Sequence, residues 1–555
     1  MIGRRDLLAS GTALALTGVA LPVRAETDPV RPATGPFSAD WNSLTRQYKA
    51  PDWFRDAKFG IWAHWSAQCV PEQGDWYARR MYLQGEHAYD HHLRTYGHPA
   101  DSGFMEINNL WKAENWNPGE LLDLYKAAGA KYFMALASHC DNFDAYDSKF
   151  MDWNATKVGP KKDIVGIWAK EARARGLKFA VSQHAAHAWH WMQAAYAYDP
   201  EGPRAGERYD GYRLTKADGA GKWWEGLDPQ ELYAGPVMVM PDGITSIADA
   251  NKWHDENDGP FPETPPAANP AFTRQFYLRT KDLIDTYQPD LVYFDNGDLP
   301  LGQVGLDLAA HYYNAGLKWH EGKQAVVVTI KLVPEDRKAA VIEDVERGNR
   351  SGIEAHPFQT DTCLGDWHYN RQRFLDKSYV PARDVIHRLC DVVAKNGNLM
   401  LSVPVRGDGT IDDEERRIVG EIGEWNRRYG EAIFGTRPWK IAGEGPTEVV
   451  SGQFINGDPK LDFTARDIRF TQKAGVLYAI TLGRPEGRLT IASLGASLGA
   501  SLGAGLGGSV TRIEAVDTGA PLAFTRDMAG IHIEIPEGLS HPFGMAVRII
   551  GEGLA

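Results

Sequence analysis

The sequence of 555 residues predicts an α/β protein in which a (β/α)8-like barrel is followed by a C-terminal antiparallel β-sandwich. Three observations lead to this fold class. Short apolar runs with little polar alternation recur along most of the chain with helical patterns between them, which is typical of buried parallel strands joined by helices. Polar residues directly follow several of these runs, at the strand ends where a barrel places its functional groups. Near the C-terminus the runs become short and alternating, as in a sandwich.

Composition excludes several classes of protein. The net charge is −13 and no basic stripe stands out, so we expect neither nucleic acid nor an acidic membrane as a partner. The 18 tryptophans suit sugar rings, although core packing accounts for most of them. The absence of a Cys-x-x-Cys pair argues against a zinc ribbon, and one disulfide stays open for an exported protein. The cysteines are Cys69, Cys140, Cys363 and Cys390.

The N-terminus has the features of an export signal. Arg4-Arg5 precedes a mostly apolar stretch at residues 13–21, and Val23-Arg24-Ala25 resembles a small-residue cleavage site. Paired arginines at this place are typical of bacterial twin-arginine signals. We predict that residues 1–25 are removed and that the mature protein is periplasmic or secreted. An ordinary secretory signal would change the route but not the compartment, and the run is too short for a durable membrane span.

The first three predicted strands end in polar or aromatic side chains. They span residues 58–65, 131–137 and 177–181. Because the carboxyl ends of barrel strands meet at one face, we predict that the side chains at these ends contribute to substrate binding. A lone histidine at a strand end is more often structural, so the argument rests on the repeated pattern. The predicted residues are His64, Trp65, His139, Cys140 and His184.

The rest of the barrel region contains an insertion and the nucleophile strand. Residues 194–270 are rich in Pro, Gly, Asp and Trp, so we predict a long loop that helps to shape a substrate pocket. The run Leu291–Phe294 predicts a buried strand that stops at the turn Asp295-Asn296-Gly297. Further strands are predicted at residues 325–330, 341–346 and 399–403, and helices at residues 121–128, 164–175, 272–287 and 380–394.

The C-terminal part of the chain is predicted to form a separate domain. Its alternating runs predict strands at residues 468–470, 476–481, 531–535 and 545–550. We place the catalytic barrel at residues 40–440 and the β-sandwich at residues 445–555. Residues 492–508 repeat Leu-Gly-Ala-Ser, and this low complexity predicts a flexible loop.

Several motifs carry a family resemblance. Asp75-Trp76-Tyr77-Ala78-Arg79 is similar to a Glu-Trp-Tyr-Ala-Arg loop with Asp in place of Glu, and it follows the strand with His64-Trp65. Similar segments lie at residues 130–132, 147–149, 159–163, 395–399, 407–411 and 430–439. In this order, over residues 50–440, they resemble glycoside hydrolase family 29, the retaining α-L-fucosidases. The resemblance implies a (β/α)8-like barrel followed by a β-sandwich.

The resemblance also implies the catalytic carboxyl groups. Asp295 matches the nucleophile, and Asp298 is the nearby alternative. The acid/base of the family follows at the end of a later strand, and Glu346 fits that place best because Arg347-Gly348 begin a turn after it. Alternation along the strand turns Glu343 to the opposite side, and Glu354 falls in a loop, so these rank second and third. A surface ion pair with a neighbouring arginine is the structural alternative for Glu346.

The sugar pocket follows from the same resemblance. His64, Trp76 and His139 match sugar-binding residues of the family, and Trp367 resembles a pocket tryptophan, with a core role as the alternative. The family has a second histidine after the one matched by His139, and this chain has Cys140 there. It is therefore left open which group replaces the sugar contact of that second histidine. The sugar preference of this protein is left open with it.

The implied chemistry is exo-acting release of α-L-fucose through a covalent glycosyl-enzyme. The substrate is a fucosylated oligosaccharide or glycoconjugate, and two carboxyls about 5–5.5 Å apart perform the double displacement. No electron is transferred, so we expect no metal and no cofactor. An α-L-galactosidase is the alternative enzyme, because that sugar differs only by a hydroxyl at C6. A non-catalytic carbohydrate-binding protein is the alternative from another class.

Overall fold

The computed structural model describes residues 32–453, 461–495 and 508–554. The predicted signal at residues 1–25 and residues 496–507 of the Leu-Gly-Ala-Ser repeat lie outside these ranges. Within them, no helix combines the length and the apolar character that crossing a bilayer requires.

Eight parallel strands close into a barrel in the order of the sequence. They are β1 (Phe59–Ala63), β2 (Tyr132–Ser138), β3 (Lys178–Gln183), β4 (Leu291–Phe294), β5 (Val327–Lys331), β6 (Ile342–Asp344), β7 (Phe358–Cys363) and β8 (Gly397–Ser402). The last strand pairs with the first, with Phe59 opposite Leu399. Together with the antiparallel sheets that follow, this barrel confirms the predicted fold class.

Alternation along the strands separates two cores. On β1, Trp62 lies in the barrel interior, whereas Ile61 and Ala63 belong to the core between the strands and the helices. Large side chains fill the interior, so the barrel is a packed core with its polar groups at one end. The largest interior side chains are Trp62, Tyr132, Met134, Tyr293 and Met400.

Strand β7 is the barrel strand that the sequence did not predict. Its sequence, Phe-Gln-Thr-Asp-Thr-Cys, has no apolar run, yet all six residues are buried. The polar side chains find partners on distant strands: Gln359 accepts a hydrogen bond from the hydroxyl of Tyr132 at 3.0 Å and donates one to Asp344 at 2.8 Å. Tertiary pairing therefore compensates for the weak local pattern.

Helices cover the outside of the barrel and fill the loops. They are α1 (Trp41–Gln47), α2 (Asp52–Ala57), α3 (Tyr77–Arg80), α4 (His87–Thr95), α5 (Phe104–Leu110), α6 (Pro118–Ala127), α7 (Ile164–Ala174), α8 (Ala188–Trp191), α9 (Asp210–Arg213), α10 (Pro229–Leu232), α11 (Ile247–Asn257), α12 (Pro270–Tyr287), α13 (Gln303–Trp319), α14 (Arg371–Leu375), α15 (Ala382–Ala394) and α16 (Asp413–Tyr429). Side-chain caps at the N-terminus determine where several of these helices begin. The Asp163 side chain accepts a hydrogen bond from the Gly166 amide at α7, and Asp412 and Glu415 form a capping box at α16.

The predicted insertion, residues 194–270, contains the short helices α9 and α10 and the longer α11. A buried charge cluster connects it to the loop after β1. The Asp258 carboxylate accepts hydrogen bonds from Arg79 at 2.5 Å and from the His254 ring at 2.9 Å. Arg79 also donates to the carbonyl of Trp191 at 2.8 Å. The insertion is therefore anchored against the catalytic end of the barrel.

Two antiparallel sheets follow the barrel. Their strands are β9 (Arg437–Glu444), β10 (Ile468–Lys473), β11 (Val476–Thr481), β12 (Arg488–Ile491), β13 (Ser509–Ala515), β14 (Phe524–Asp527), β15 (Gly530–Glu534) and β16 (Ala546–Glu552). One sheet has the order β13-β16-β11-β10-β9 and the other the order β12-β15-β14. Helix α15 packs on β9 and β10, where Arg469 donates a hydrogen bond to Asp391 at 2.6 Å.

Candidate active site

The carboxyl ends of six barrel strands bring polar side chains to one place. Each strand ends because the chain leaves the sheet there, so the residues that follow face the barrel mouth rather than the packed interior. In strand order they are His64 after β1, His139 after β2, His184 after β3, Asp295 after β4, Lys331 at the end of β5 and Glu346 after β6.

Asp295 is held by three polar neighbours. The Lys331 ammonium contacts its Oδ1, Nδ1 of His184 lies 3.2 Å from its Oδ2, and the Tyr293 hydroxyl lies 3.3 Å from Oδ1. Burial raises the pKa of this carboxyl, but the charge of Lys331 and the His184 contact outweigh it. The pKa of Asp295 therefore lies well below its usual range, and the group is a carboxylate at neutral pH.

Glu346 shares the same lysine. Lys331 Nζ lies 2.5 Å from Oε2 of Glu346 while it also contacts Asp295. Because charge-assisted contacts measure about 2.7–2.9 Å, two oxygens that share one ammonium lie no more than about 6 Å apart. That spacing suits two carboxyl groups on opposite sides of one anomeric carbon in a retaining reaction.

The environment separates the protonation states of the two carboxyls. Glu346 is buried, and this burial raises its pKa above the usual value. Lys331 works against that shift, whereas the negative charge of Asp295 adds to it. One carboxyl is thus kept ionised and the other is biased toward its acid form, as a nucleophile and a general acid require.

The other candidate carboxyls lie elsewhere. Glu343 pairs with Arg350 at 2.6 Å and Lys338 at 3.3 Å. Glu354 lies 3.7 Å from the same Arg350. Asp298 pairs with Arg337 at 3.0 Å and its side chain is 44% exposed. Of the five carboxyls considered from the sequence, Asp295 and Glu346 are the two that meet at Lys331.

Buried imidazole rings form the wall beside this pair. The ring centroids of His64 and His184 are 5.3 Å apart, those of His139 and His184 are 5.1 Å apart, and His368 lies 4.8 Å from His139. Burial, reinforced by the neighbouring imidazoles, lowers the pKa of His64 and His139 far below the usual range. Among the described residues, Nδ1 of His64 and Nε2 of His184 have no hydrogen-bond partner, so both are available to hydroxyl groups.

The same rings are the described residues that could hold a metal. His64, His139 and His184 each offer a ring nitrogen, and these atoms lie within 4.8 Å of one another. Neutral imidazole is a good ligand for zinc. The Lys331 ammonium already supplies the positive charge next to Asp295. That the reaction needs no metal or cofactor stays a prediction.

Two tryptophans lie near the imidazole cluster. The Trp367 ring lies 5.3 Å from His64 and 5.8 Å from Trp62, and the Arg347 guanidinium stacks over it at 5.1 Å. Trp76 is half-buried and faces Phe261 of the insertion at 5.7 Å. Trp367 therefore borders the imidazole cluster directly, whereas Trp76 is separated from His139 by the ring of Trp191.

The sequence model of the α-L-fucosidase family matches residues 26–431. The chain belongs to the α-L-fucosidase family. It is 24% identical to the tissue α-L-fucosidase of Bos taurus over 506 residues, 89% of this chain and 87% of that protein. It is 22% identical to the human tissue enzyme over 487 residues, covering 85% and 83%. A Thermotoga maritima α-fucosidase structure with a mechanism-based inhibitor aligns with TM-score 0.65 at 25% identity, covering 93% and 100%.

Trp65 is a correction to the predicted pocket of this α-L-fucosidase family member. Its ring packs against Trp111 at 5.1 Å and Trp116 at 5.0 Å, and its indole N–H donates to the Arg406 carbonyl at 2.7 Å. Successive side chains of an extended segment face opposite sides, so His64 points to the pocket and Trp65 points to the outer core. Trp65 is fully buried there and has no access to substrate.

Cys140 lies beside His184, and all four cysteines are buried and unbridged. Its thiol lies 3.7 Å from the carbonyl of His184, the residue that contacts Asp295. Burial, and next the charge of Asp295, raises the pKa of the Cys140 thiol. In this α-L-fucosidase family member the position after His139 thus holds a small neutral group.

Several residues of the site were not predicted. Lys331 ends an apolar strand run, and a charge at that place was a signal that strand-end reasoning could have used. His368 follows Trp367 directly. Asp75 accepts hydrogen bonds from the amides of Trp367 at 3.1 Å and His368 at 2.8 Å, which fixes the loop that carries both rings. The sequence around Asp75 does not show that its carboxylate binds the backbone amides of a distant loop.

A second carboxyl pair lies below the site, deeper in the barrel. Asp344 on β6 and Asp361 on β7 are fully buried and hydrogen-bonded to each other. A carboxyl–carboxyl hydrogen bond requires a shared proton. Burial raises the pKa of Asp344 to about 7. The Tyr293 hydroxyl lies 3.4 Å from Asp361 and also contacts Asp295, so it links the pair to the candidate nucleophile.

Proposed function

We propose that this protein releases terminal α-L-fucose from glycans by double displacement, with Asp295 as the nucleophile and Glu346 as the acid/base. One observation carries the proposal: an ionised and a protonation-biased carboxyl share the Lys331 ammonium at the mouth of a parallel barrel. A retaining glycosidase needs this pair at this separation. Because the chain belongs to the α-L-fucosidase family, we assign α-L-fucose as the sugar that is released.

In the first step Glu346 gives its proton to the glycosidic oxygen while Asp295 attacks the anomeric carbon. The C–O bond to the leaving group breaks and a β-linked fucosyl ester forms on Asp295. In the second step Glu346 takes a proton from water while the water oxygen attacks the anomeric carbon. The bond from that carbon to the Asp295 oxygen breaks, which releases α-L-fucose and restores the Asp295 carboxylate. Loss of the Asp295 charge in the ester lowers the pKa of Glu346, which favours its role as base.

The pocket walls suit fucose. Neutral imidazoles can donate through one ring nitrogen and accept through the other, so His64, His139 and His184 can bind sugar hydroxyls in either sense. Fucose also carries an apolar methyl on C5. The Trp367 ring beside His64 offers a flat apolar face that would cover this methyl.

The test is hydrolysis of 4-nitrophenyl α-L-fucoside compared with 4-nitrophenyl α-L-galactoside. We expect turnover of the fucoside, and Asp295→Gly should lower it by about 10,000-fold or more. Azide added to this variant should yield β-fucosyl azide, because it attacks from the face that the carboxylate has left. Asp298→Ala is the matched control and should stay close to wild type. Loss of activity in Asp298→Ala with activity retained in Asp295→Gly would overturn the assignment.

We also propose that the mature protein is exported and begins near Glu26. The support is the Arg4-Arg5 segment and the site at Val23-Arg24-Ala25. N-terminal sequencing of the protein recovered from a bacterial periplasm or medium tests it. A mature protein that keeps Met1 in the cytoplasm would overturn it.

A further inference from the structure

Two large apolar side chains are exposed next to the catalytic turn. Phe261 of the insertion is 44% exposed and Leu332, directly after Lys331, is 64% exposed. Exposed side chains of this size cost hydration free energy and are informative where they cluster near a site. Leu332 borders the Asp295-Asn296-Gly297 turn, and Phe261 borders His187, whose ring contacts the Asp295 carbonyl oxygen.

Contacts place Leu332 and Glu263 beside this turn. A Cβ on Gly297 would lie 3.4 Å from Cδ1 of Leu332 and 3.5 Å from the Glu263 carboxylate. Glu263 accepts hydrogen bonds from the Gly297 amide at 2.7 Å and from the Asn296 side chain at 2.5 Å. Leu332 and Glu263 therefore both lie next to Gly297. We call Phe261, Glu263, Gly297 and Leu332 the leaving-group rim.

Phe261 approaches the site from the other direction. Its ring lies 5.3 Å from His187, whose Nε2 is 2.7 Å from the Asp295 carbonyl oxygen. It also lies 5.7 Å from the ring of Trp76. The rim thus extends from the neighbours of the nucleophile to the neighbour of Lys331, outside the imidazole pocket that receives fucose.

The backbone of Leu332 argues that its exposure is not incidental. Its φ is 51°, in the left-handed region that favours glycine or asparagine over leucine. A branched apolar side chain at an exposed, left-handed position gains nothing from burial in the free protein. It would gain burial when a ring covers it.

We infer that the leaving-group rim binds the apolar face of the sugar ring that departs with the glycosidic oxygen. This inference rests on the proposed function, because it assigns the second half of the same substrate. A pyranose presents C–H groups on one face, and aromatic and aliphatic side chains cover such faces. The Glu263 carboxylate holds the turn next to Leu332 through its hydrogen bonds to Asn296 and Gly297.

The experiment compares three fucosyl substrates that differ in the leaving group. α-L-Fucosyl fluoride has no ring to contact the rim, 4-nitrophenyl α-L-fucoside has an aryl ring, and fucosyl-N-acetylglucosamine has a sugar ring. Phe261→Ala and Leu332→Asn should each raise KM for both ring substrates by about three- to tenfold. The kinetics on the fluoride should stay within about twofold of wild type.

Leu332→Asn separates binding from folding, because asparagine tolerates a positive φ and should not lower the melting temperature. Phe261→Tyr keeps the aromatic ring, so its KM for the ring substrates should stay close to that of the wild type. Leu93→Ala on α4, a side chain that is 43% exposed, is the matched control for the loss of an exposed apolar group.

If the variants impaired hydrolysis of the fluoride as much as that of the ring substrates, these side chains would support the fucose pocket. That result would overturn the inference. KM values that stay unchanged on all three substrates would overturn it too. So would a rise in KM for the aryl substrate alone. A wild-type protein that hydrolyses the fluoride upholds the proposed function whatever the rim variants do. A wild type that hydrolyses none of the three overturns the proposed function, and the rim assignment falls with it.

Discussion

Lys331 links the two carboxyls on which the proposed chemistry depends. Its ammonium contacts Asp295 and Glu346 together, and it lowers the pKa of both. Burial works in the same direction on both carboxyls, so the difference comes from the neighbours: His184 stabilises the Asp295 carboxylate, whereas the Asp295 charge destabilises the Glu346 carboxylate. A single lysine can therefore serve two carboxyls with different roles.

At this scale, Glu346→Ala tests the acid/base. We expect a loss of about 100- to 10,000-fold on substrates with poor leaving groups and a smaller loss on aryl fucosides, because the latter need little protonation. Azide should restore turnover of the aryl fucoside and give α-fucosyl azide, the product of attack on a β-linked intermediate. The matched variant Glu343→Ala should show neither effect. Azide rescue of Glu343→Ala instead would reassign the role.

The Cys140 thiol gives a second prediction for a single residue. Burial raises its pKa, so the reactive thiolate is scarce at pH 8. We expect iodoacetamide to leave Cys140 unmodified and activity unchanged in the folded protein, as measured by peptide mass spectrometry. The same treatment in urea should label all four cysteines. Rapid inactivation of the folded protein with Cys140 labelled would show that this thiol is accessible.

At the scale of elements, β6 and β7 together carry a proton-sharing pair. Asp344 and Asp361 gain this arrangement because their strands pair in the barrel, with Asp344 opposite Gln359 in the register. The negative charge of Glu346 raises the pKa of both Asp344 and Asp361. The two strands therefore hold a buried pair whose protonation is favoured by the neighbouring Glu346.

Asp361→Asn tests whether the pair affects the protonation of Glu346. Because the two carboxyls share a proton, asparagine replaces the protonated member and Asp344 keeps the negative charge, so the basic limb of the pH profile of kcat/KM should stay in place. Glu343→Gln, a buried carboxyl outside the cluster, is the control and should leave the limb in place as well. A limb that moves to lower pH in Asp361→Asn alone would show that Asp361 carries a charge that raises the pKa of Glu346.

The same variant should change stability with a defined sign. The folded-state pKa values of the pair are raised, so their contribution is fully present below the ordinary pKa near 4 and is lost as pH rises through about 7. Asp361→Asn should therefore increase the free energy of unfolding at pH 8 by about 1–3 kcal/mol. The gain should shrink toward pH 4. Denaturant unfolding at both pH values measures it, and equal effects at both would contradict the shared proton.

The anchoring of the insertion is also a property of elements. Arg79 and Asp258 are both buried, and Arg79→Ala would leave the Asp258 carboxylate with His254 alone. We expect a loss of about 3 kcal/mol in unfolding free energy and faster proteolysis within residues 254–263. Arg204→Ala removes a more exposed ion pair of the same insertion, so it should lower the free energy of unfolding only slightly. Equal stability of the two variants would show that the buried cluster does not anchor the insertion.

At the scale of the whole molecule, the barrel and the sheets share a buried contact. Asp391 of α15 accepts hydrogen bonds from Lys395 at 2.7 Å and from Arg469 of β10 at 2.6 Å. The Trp425 indole donates to the Gly544 carbonyl at 3.0 Å. These polar contacts lie inside an apolar interface, so opening it would expose both charge and hydrophobic surface.

We therefore expect the barrel and the sheets to unfold in one transition. Arg469→Ala should lower the free energy of unfolding by about 2 kcal/mol, since Lys395 still partners Asp391, and kcat/KM should stay unchanged. Calorimetry, with loss of activity followed in parallel, measures both. The exposed pair at Arg512 and Glu514 offers a control, Arg512→Ala, with little expected effect. Two separate transitions in the wild type would contradict the coupling.

Local patterns predicted much of this protein. Apolar runs marked seven of the eight barrel strands, and the polar residues after them drew attention to His64, His139, His184 and Asp295, whereas Glu346 came from the family resemblance. This worked because a buried parallel strand needs a continuous apolar run and because its end is the place where the chain meets solvent. The fold class followed from these runs and the family resemblance from motifs along the chain, and both are confirmed.

Only the tertiary structure decided the rest. Strand β7 is polar, and its side chains become stable in the interior because partners such as Tyr132 lie 227 residues away in the chain. Trp65 and His64 are neighbours in sequence, yet alternation sends one to the outer core and the other to the site. The pairing of Asp344 with Asp361 and the bridge of Lys331 require strands to meet. Charges and buried polar groups acquire their roles from neighbours in space, which the order of residues alone does not specify.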